Sequence, residues 1–409
     1  MRTPELAKYG PRAWLPIIGL AFAAFVFNTS EFLPVGLLPD IAESLNETVP
    51  FTGLIITGYA FVVAVMSLPL TVLTARFERR RLLLFLLLVF SLCHFVVLWV
   101  TSFEALLAAR VGVALSHSVF WSIMTPLAAR VAPHGKRALG LASVMGGTIV
   151  ATVLGVPIGT NLGHYFGWQE AFFIIGIAAM AVFVLIFLTL PVCVSTKAGS
   201  FASLPVILKR PALLELYALT VITVLGQYTV YSYFSPILST AGGLTEDNIV
   251  EMLFLFGFSG IAGTIVGSRV VDRYRTAGLL APLVAIAACL FLLVPAAQTP
   301  AALWALIFVW GAAMTLVSLA FQTLLLSAAP DAADVATSLY SGIFNVGIGG
   351  GAFIGSRVSE HFGFYPVSSV GGVLVCASIA LMAVIWLKTG RAVFPTGFEE
   401  TRRKPGEPL

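Results

Sequence analysis

The sequence predicts an all-α integral membrane protein in which twelve transmembrane helices form two pseudo-symmetric six-helix bundles. Three observations support this prediction: the composition, the placement of the basic residues and an internal repeat. Of the 409 residues, 59% are hydrophobic and only 10% are charged, whereas about a quarter of a soluble globular chain is charged. Because so few charges cannot cover a water-facing surface, lipid must be the main solvent of the folded chain.

Long apolar runs predict the positions of the helices. A transmembrane helix needs about 20 mostly apolar residues, and twelve segments meet this requirement. They are 13–35, 51–75, 82–101, 105–132, 138–162, 168–191, 212–238, 249–271, 277–297, 300–328, 335–358 and 365–388. The one long connection, 192–211, predicts a cytoplasmic linker between an N-terminal bundle, 1–191, and a C-terminal bundle with a cytoplasmic tail, 212–409.

The basic residues predict the orientation. Cytoplasmic connections of membrane proteins carry an excess of Lys and Arg. If the N-terminus is cytoplasmic, all 23 basic residues except Arg110 and Arg357 fall on that side, at the termini, in connections or within two residues of the end of a span. We therefore predict a multi-pass protein with its N- and C-termini in the cytoplasm.

The chain also repeats itself at an offset of 197 residues. Four pairs of stretches share this spacing, the last within one residue: ARFER at 75–79 with DRYRT at 272–276, HYFGW at 164–168 with HFGFY at 361–365, VAPHGKRALG at 131–140 with AAPDAADVAT at 328–337, and GVPIG at 155–159 with GAFIG at 351–355. Two halves in parallel repeat are typical of transporters in which two bundles rock around a central site.

Other classes of membrane protein lack support in the sequence. The four cysteines lie far apart in apolar segments and form neither a metal-ligand set nor a disulfide framework. The sequence has no phosphate-binding glycine loop with its lysine, which would indicate nucleotide-driven transport. It also has no nucleophile with a base, which would indicate an enzyme. We therefore expect a transporter of a small molecule, without cofactor, metal or nucleic-acid partner, that acts as a monomer in the lipid bilayer.

Glu31 and Arg110 are charged residues inside predicted spans. An ionisable side chain at mid-span costs about 2.5–3.5 kcal/mol on insertion scales. Glu31 follows a polar Asn-Thr-Ser triplet near the outer end of span one, and Arg110 lies near the outer end of span four. Both positions are roughly 6–8 Å below the membrane surface, so we predict that the two side chains pair. The pair either only orients two helices or, in the interpretation we prefer, lets Glu31 take up and release a proton.

His117 extends this group along span four. It lies seven residues, two helical turns, deeper than Arg110 on the same face, and Trp121 lies one turn further. His117 is either a second proton-coupling residue or a hydrogen-bonded interior residue. His94 in span three has no partner in the sequence pattern, and for it we expect the interior role.

Uncharged polar and aromatic side chains predict a solute-binding wall. Span one presents a polar and aromatic face that includes Asn28 and Phe32, and span seven carries GQYTVYSYFSP at 226–236. Tyrosines also form girdles at membrane surfaces, which is the alternative interpretation of this segment. Carbohydrates are recognised by amides, hydroxyls and aromatic faces. The candidate substrate-binding residues are Asn28, Trp121, Gln227, Tyr228, Tyr231 and Asn345.

Glycines and a proline predict where helices pack closely or bend. Span five contains Gly155, Pro157 and Gly159, and span eleven is similarly rich in glycine. Small residues let helix backbones approach each other, and a proline removes one backbone hydrogen bond. We interpret these residues as packing and hinge positions.

These features resemble a known family. Over essentially its whole length the chain is similar to the major facilitator superfamily and, within it, to the drug:proton antiporter group. GVPIG at 155–159 resembles the span-five signature of that group, and Arg110 in LAARVGVA resembles the span-four arginine signature tied to proton coupling. The resemblance implies proton-coupled antiport by alternating access across the bacterial inner membrane.

The loop between spans two and three departs from the family pattern. ARFERRR at 75–81 resembles that loop, but Ala75 and Glu78 occupy the places of its usual Asp and Gly. Asp272 and Arg273 keep the usual pair in the second half, so the resemblance implies a gating role for these two residues.

Three longer stretches resemble the bacterial sugar efflux transporters within that group. They are NTSEFLPVGLLPDIA at 28–42, GVALSHSVFWSI at 112–123 and LYSGIFNVGIGGGA at 339–352. The resemblance implies export of sugars such as arabinose and thiogalactosides, driven by proton influx. The alternatives are export of amphipathic drugs such as chloramphenicol, and energy-independent uniport of a sugar.

Overall fold

The computed structural model describes residues 11–133, 136–194, 204–270, 275–329 and 333–389, and within these ranges the chain is helical without β-strands. Twelve helical segments follow the order of the predicted spans. They are α1 (Leu15–Ser44), α2 (Leu54–Leu73), α3 (Arg79–Val96), α4 (Phe103–Val131), α5 (Arg137–Val150 and Val156–Phe166), α6 (Trp168–Thr189), α7 (Pro211–Tyr231 and Phe234–Gly242), α8 (Glu246–Val270), α9 (Arg275–Ala296), α10 (Pro300–Ala328), α11 (Ala333–Phe362) and α12 (Tyr365–Thr389). Shorter helical turns are Pro11–Trp14, Val49–Thr52, Val97–Trp99, Ala151–Gly155 and Leu204–Ile207.

The predicted all-α membrane class is confirmed. Within the described ranges, eleven helices are long and apolar enough to cross a membrane. α11 is not among the eleven, because its glycines, serines and Asn345 make it less apolar, although its 30 residues are enough to span a bilayer. The residues 195–203 of the predicted linker and the tail from 390 lie outside the described residues.

Helix α1 is longer than predicted. We expected span one to end at residue 35, but α1 continues through Pro34 and Pro39 to Ser44. A proline removes one backbone hydrogen bond and bends a helix. Packing against neighbouring helices nevertheless holds this segment in place, since Leu37 and Ile41 are fully buried. Glu31 therefore lies near the middle of α1 and not near its end.

Two helices are interrupted next to prolines. α5 changes to a π-helical turn at Ala151–Gly155, directly before Pro157 in the first turn of the next helical piece. α7 is broken at residues 232–233, and Pro236 follows in the first turn of its second piece. Because proline lacks the N–H that would bond to the residue four positions earlier, both breaks occur where the helical ladder loses a donor.

The packing of the helices follows the sequence repeat. In the first half of the chain, α1 packs against α5 and α6, α2 against α4, and α3 against α4 and α6. The second half reproduces all five contacts six helices later: α7 packs against α11 and α12, α8 against α10, and α9 against α10 and α12. Between the halves, α2 packs against α11 and α5 against α8, which are also equivalent contacts in the repeat.

The described polar contacts between the halves lie at one end of the molecule. We call this the outer end, after the side that the sequence predicts, and it carries the turns at 45–48, 243–245 and 297–299. The Ser356 hydroxyl donates to the Pro50 carbonyl at 2.8 Å. His164 bridges the halves, with Nε2 3.3 Å from Asp40 Oδ2 and Nδ1 3.7 Å from Glu246 Oε2.

Candidate functional site

Glu31 and His117 approach each other inside the first half. Oε2 of Glu31 on α1 lies 3.9 Å from Nε2 of His117 on α4, and the two side chains are only 9% and 2% exposed. This distance is longer than a direct hydrogen bond. It is short enough for a protonated imidazole and a carboxylate to attract each other and for one water molecule to pass a proton between them.

Tyr59 holds the imidazole of His117. Its hydroxyl on α2 lies 2.7 Å from His117 Nδ1. A neutral imidazole has one donor and one acceptor nitrogen, so if the Tyr59 hydroxyl donates to Nδ1, the hydrogen of Nε2 points towards Glu31. Sequence reasoning missed Tyr59, because nothing in span two distinguishes it and only the packing of α2 against α4 brings it here.

Arg110 binds the backbone of α1. We expected it to pair with the Glu31 carboxylate, but its Nη1 donates to the Ser30 carbonyl at 3.0 Å and to the Ser30 hydroxyl at 3.2 Å, and its Nη2 donates to the Glu31 carbonyl at 3.5 Å. Pro34, four residues after Ser30, provides no N–H to the Ser30 carbonyl. Arg110 therefore supplies the donor that Pro34 removes.

Aromatic rings cover the remaining faces of the guanidinium. Arg110 is only 1% exposed, and its Cζ lies 4.4 Å from the Tyr59 ring centroid and 5.6 Å from that of Phe172. Cations over aromatic faces are stabilised by about 2 kcal/mol or more when desolvated. The hydrogen bonds and the two rings offset much of the cost of burying the arginine inside a span, while its Nε has no hydrogen-bond partner among the described residues.

The second half presents a wall without formal charge. Gln227 on α7 accepts a 2.7 Å hydrogen bond from Trp310 Nε1 on α10. The ring of Tyr231 lies 4.9 Å from Phe256 and 6.4 Å from Trp310. These side chains form a packed aromatic layer, in which Gln227 and Tyr231 are nearly fully buried.

Phe32 connects the two regions. This α1 residue follows Glu31, and its ring lies 5.9 Å from Tyr228 and 6.3 Å from Tyr231. The structure thus brings the predicted wall on α7 next to the residue after Glu31. On α11, Asn345 Nδ2 donates to the Ser341 carbonyl at 3.0 Å, while its buried Oδ1 has no partner within the described part of the chain.

Asn28 and Trp121 lie at the edges of this group. The Asn28 amide donates at 3.3 Å to the Thr148 carbonyl and at 3.3 Å to Thr152 Oγ1, so α5 engages its donor. The Trp121 ring is 6.1 Å from the His117 ring in an edge arrangement. Asn28 therefore ties α1 to the interrupted region of α5, and Trp121 borders the Glu31–His117 contact.

The predicted hinge residues of α5 lie against α1. A side chain at Gly155 would overlap Thr29, and one at Gly159 would overlap the side chain of Leu33, so these glycines let α5 approach α1. Pro157 follows the π-helical turn. Asp272 and Arg273, the predicted gating pair, lie outside the described residues.

Glu78 has a local structural contact at the inner end. Its carboxylate accepts from the backbone N–H groups of Arg80 and Arg81 at 2.8 and 2.9 Å, and from that of Cys193 at 2.7 Å. It therefore caps α3 and connects this helix to the segment after α6. Among the described residues, no group of three His, Cys, Asp or Glu side chains could hold a metal ion.

Comparisons with known proteins agree with this architecture. The sequence matches the Major Facilitator Superfamily over residues 20–352. A crystal structure of a bacterial homologue of the human lysosomal transporter Spinster, inward-facing and unoccupied, superposes with a TM-score of 0.71 at 15% identity over 97% of this chain and 100% of that one. The human organic anion transporter MFSD10 (TETRAN) superposes with a TM-score of 0.66 at 16% identity over 91% of this chain and 100% of that one. At these identities the likeness concerns the fold, and together with the family match it shows that the chain belongs to the Major Facilitator Superfamily of membrane transporters.

Proposed function

We propose that this protein is a proton-coupled secondary antiporter that exports small sugars, arabinose- or thiogalactoside-like, by alternating access. The observation that carries the proposal is the buried contact between Glu31 and His117, 3.9 Å between Oε2 and Nε2. A carboxylate inside a span is costly, so its presence indicates a function. Arg110 donates its hydrogen bonds to the backbone of α1 and not to this carboxylate. The Glu31 carboxylate is therefore available to exchange a proton.

Proton uptake at this contact changes the charge of the interior by one unit. Because a buried charge is costly in a lipid-enclosed interior, the two protonation states favour different arrangements of the two halves. The halves meet at the outer end through His164 and Ser356, so opening that end requires these contacts to break. One proton entering per neutral solute draws about 2.3 kcal/mol from each 100 mV of membrane potential.

The uncharged polar side chains on α7 and α11 support the proposal that the solute is neutral. Gln227, Tyr228, Tyr231 and Asn345 contribute amide and phenol groups without formal charge. This chemistry suits a sugar, whose hydroxyls bond to amides and whose ring packs on aromatic faces. A sugar substrate is also supported by the resemblance of residues 28–42, 112–123 and 339–352 to the bacterial sugar efflux transporter SotB.

The orientation follows from the basic residues. Their one-sided distribution supports cytoplasmic termini, and we place the protein, as a monomer, in the bacterial inner membrane by its resemblance to the bacterial exporters. The internal repeat and the long connection support two bundles, 1–191 and 212–409, that move against each other around the linker 192–211, and the family resemblance supports a role for Asp272 and Arg273 at the inner gate. In this arrangement the outer end faces the periplasm.

The test compares uphill transport and counterflow in the same proteoliposomes. With an imposed pH gradient, the parent protein should concentrate labelled solute. Glu31→Gln, which imitates the protonated carboxyl, should lose uphill transport but retain solute-for-solute counterflow, since exchange needs only reorientation of the loaded carrier. Glu104→Gln, an exposed carboxylate in the first turn of α4, is the matched control and should behave like the parent.

Two outcomes would contradict the proposal. Full uphill transport by Glu31→Gln would assign Glu31 to helix orientation and make His117 the proton carrier. Transport by the parent that ignores the pH gradient would indicate a uniporter. A counterflow panel of arabinose, a thiogalactoside and chloramphenicol then separates the sugar class from amphipathic drugs.

A further inference from the structure

His94 is a buried titratable residue that the proposed mechanism does not use. It lies on α3 with 1% of its surface exposed, and both of its ring nitrogens have partners. Nδ1 is 2.8 Å from the Phe90 carbonyl, and Nε2 is 2.8 Å from the Ser30 hydroxyl. Both nitrogens of this buried imidazole are therefore satisfied, and one of the two contacts reaches α1 at Ser30.

The partners determine the direction of each hydrogen bond. A carbonyl oxygen can only accept, so His94 Nδ1 carries the hydrogen that it donates to Phe90. In the neutral imidazole Nε2 is then an acceptor, and the Ser30 hydroxyl donates to it. With its hydrogen directed towards His94, the Ser30 oxygen presents its lone pairs to Arg110, whose Nη1 lies 3.2 Å away.

This chain of contacts ends at the backbone of Glu31. Arg110 binds the carbonyls of Ser30 and Glu31 in addition to the Ser30 hydroxyl. The orientation of one hydroxyl by His94 therefore helps to hold the guanidinium, and the guanidinium holds the α1 backbone that carries the Glu31 carboxylate.

We propose that His94 is a positioning residue of the proton-coupling site, acting through Ser30 and Arg110 to set the position of Glu31 relative to His117. The inference rests on the proposed function, in which Glu31 and His117 exchange the coupling proton. His94 itself neither touches solute nor carries the proton.

The aromatic packing around His94 permits a substitution that removes its polar atoms and keeps its shape. The His94 ring stacks on Phe90 with centroids 4.2 Å apart and lies 6.0 Å from Phe172. Phenylalanine fills the same aromatic space without polar atoms, and the residue 197 positions later in the repeat is Phe291. His94→Phe therefore removes both hydrogen bonds and preserves the packing, whereas His94→Gln can still accept from Ser30.

The experiment measures uphill transport as a function of pH, together with counterflow, in proteoliposomes. The variants are His94→Phe, His94→Gln, Ser30→Ala and the double variant of His94→Phe with Ser30→Ala. Ser91→Ala is the matched control, because Ser91 is buried on the same helix and its hydroxyl donates only to its own helix, at Leu87. Size-exclusion chromatography of each variant checks that it folds.

We predict that His94→Phe lowers uphill transport about two- to twelvefold, the effect of losing the hydrogen bond to Ser30, and displaces the pH profile of transport. His94→Gln should restore most of the rate and the profile. The double variant should equal Ser30→Ala alone, because His94 acts only through that hydroxyl. Ser91→Ala should leave both the rate and the profile unchanged.

The two proposals fail differently. If the parent couples transport to protons and Glu31→Gln abolishes that coupling, a parental pH profile for His94→Phe, or full additivity with Ser30→Ala, overturns the role of His94. If the parent itself shows no proton-driven transport, the proposed function fails and the role of His94 falls with it. If His94→Phe does not fold, an unchanged profile for His94→Gln together with a displaced one for Ser30→Ala supports the inference, and a displaced profile for both contradicts it.

Discussion

The two halves of the chain place different chemistry at equivalent positions. In the first half, Ser30 and Glu31 on α1 face Arg110 on α4. In the second half, the residues 197 positions later are Gln227 and Tyr228 on α7, and Gln227 binds Trp310 on α10. Each half thus joins its first helix to its fourth through a side-chain hydrogen bond, charged in one half and neutral in the other.

The rings around these contacts are also related. The Arg110 guanidinium lies 4.4 Å from the ring of Tyr59, and the Trp310 indole lies 5.3 Å from the ring of Phe256, the residue 197 positions after Tyr59. Tyr59 has a hydroxyl that bonds to His117, and Phe256 has none. In each half, a planar side chain on the fourth helix therefore lies next to an aromatic ring on the second helix. Of these two contacts, the one in the first half has the polar atoms that the proposed proton exchange needs.

The largest effect should follow from Arg110→Leu. This change leaves the Ser30 carbonyl, already without a helical donor because of Pro34, unpaired in the interior. Since each buried unpaired polar group costs about 1–3 kcal/mol, we expect uphill transport to fall to background and the unfolding temperature in detergent to drop.

A second substitution sharpens this prediction. Pro34→Ala in the Arg110→Leu background restores an N–H to the Ser30 carbonyl, so it should recover part of the lost thermal stability without recovering proton coupling. Pro39→Ala in the same background is the matched control, because Pro39 lies on α1 away from Ser30. Equal recovery by both substitutions would mean that the carbonyl bond is not the reason for the loss.

A smaller effect is expected from Tyr59→Phe. The variant keeps the ring under Arg110 and removes the hydroxyl that binds His117, so uphill transport should fall about two- to twelvefold while the KM of counterflow stays near the parental value. The reverse change in the other half, Phe256→Tyr, should leave the pH profile of transport unchanged. A change of that profile in Phe256→Tyr would remove the distinction between the halves.

Trp310→Phe should act on solute binding rather than on coupling. It frees Gln227 from its 2.7 Å hydrogen bond, so the amide becomes mobile within the wall. We expect the KM for the exported solute to rise about two- to twelvefold with an unchanged dependence of the rate on pH. Solute concentration series at several pH values measure both quantities, and a displaced pH profile would place Trp310 in the coupling site.

The smallest effect should come from Tyr228→Phe, at the position equivalent to Glu31. The phenol carries no charge and the ring contact with Phe32 survives, so coupling should be intact and KM should rise by no more than about threefold. Loss of uphill transport in this variant, measured beside Glu31→Gln, would show that the coupling site extends into the second half.

The sequence pointed to individual site residues but not to their partners. Glu31, Arg110 and His117 stood out because ionisable side chains are rare inside apolar runs. Tyr59 and Trp310 did not, because a tyrosine or a tryptophan in a span is common, and Ser30 was noted only as part of the polar triplet before Glu31. The expected pair of Glu31 with Arg110 matched opposite charges at similar depth. That reasoning could not anticipate that Pro34 leaves a carbonyl on α1 without a helical donor, and that this carbonyl takes the arginine away from the carboxylate.

By itself, the sequence determined the solvent of the fold, the number and order of its helices and the repeat that relates its halves. These properties depend on composition and on the spacing of residues, which can be read along the chain without knowing which helices pack together. Only the tertiary structure decided that α1 continues past two prolines, that Arg110 binds backbone rather than carboxylate, and that the His117 imidazole approaches the Glu31 carboxylate to 3.9 Å. Those outcomes depend on which polar atoms remain without partners after the helices pack, and that information is distributed over residues far apart in the chain.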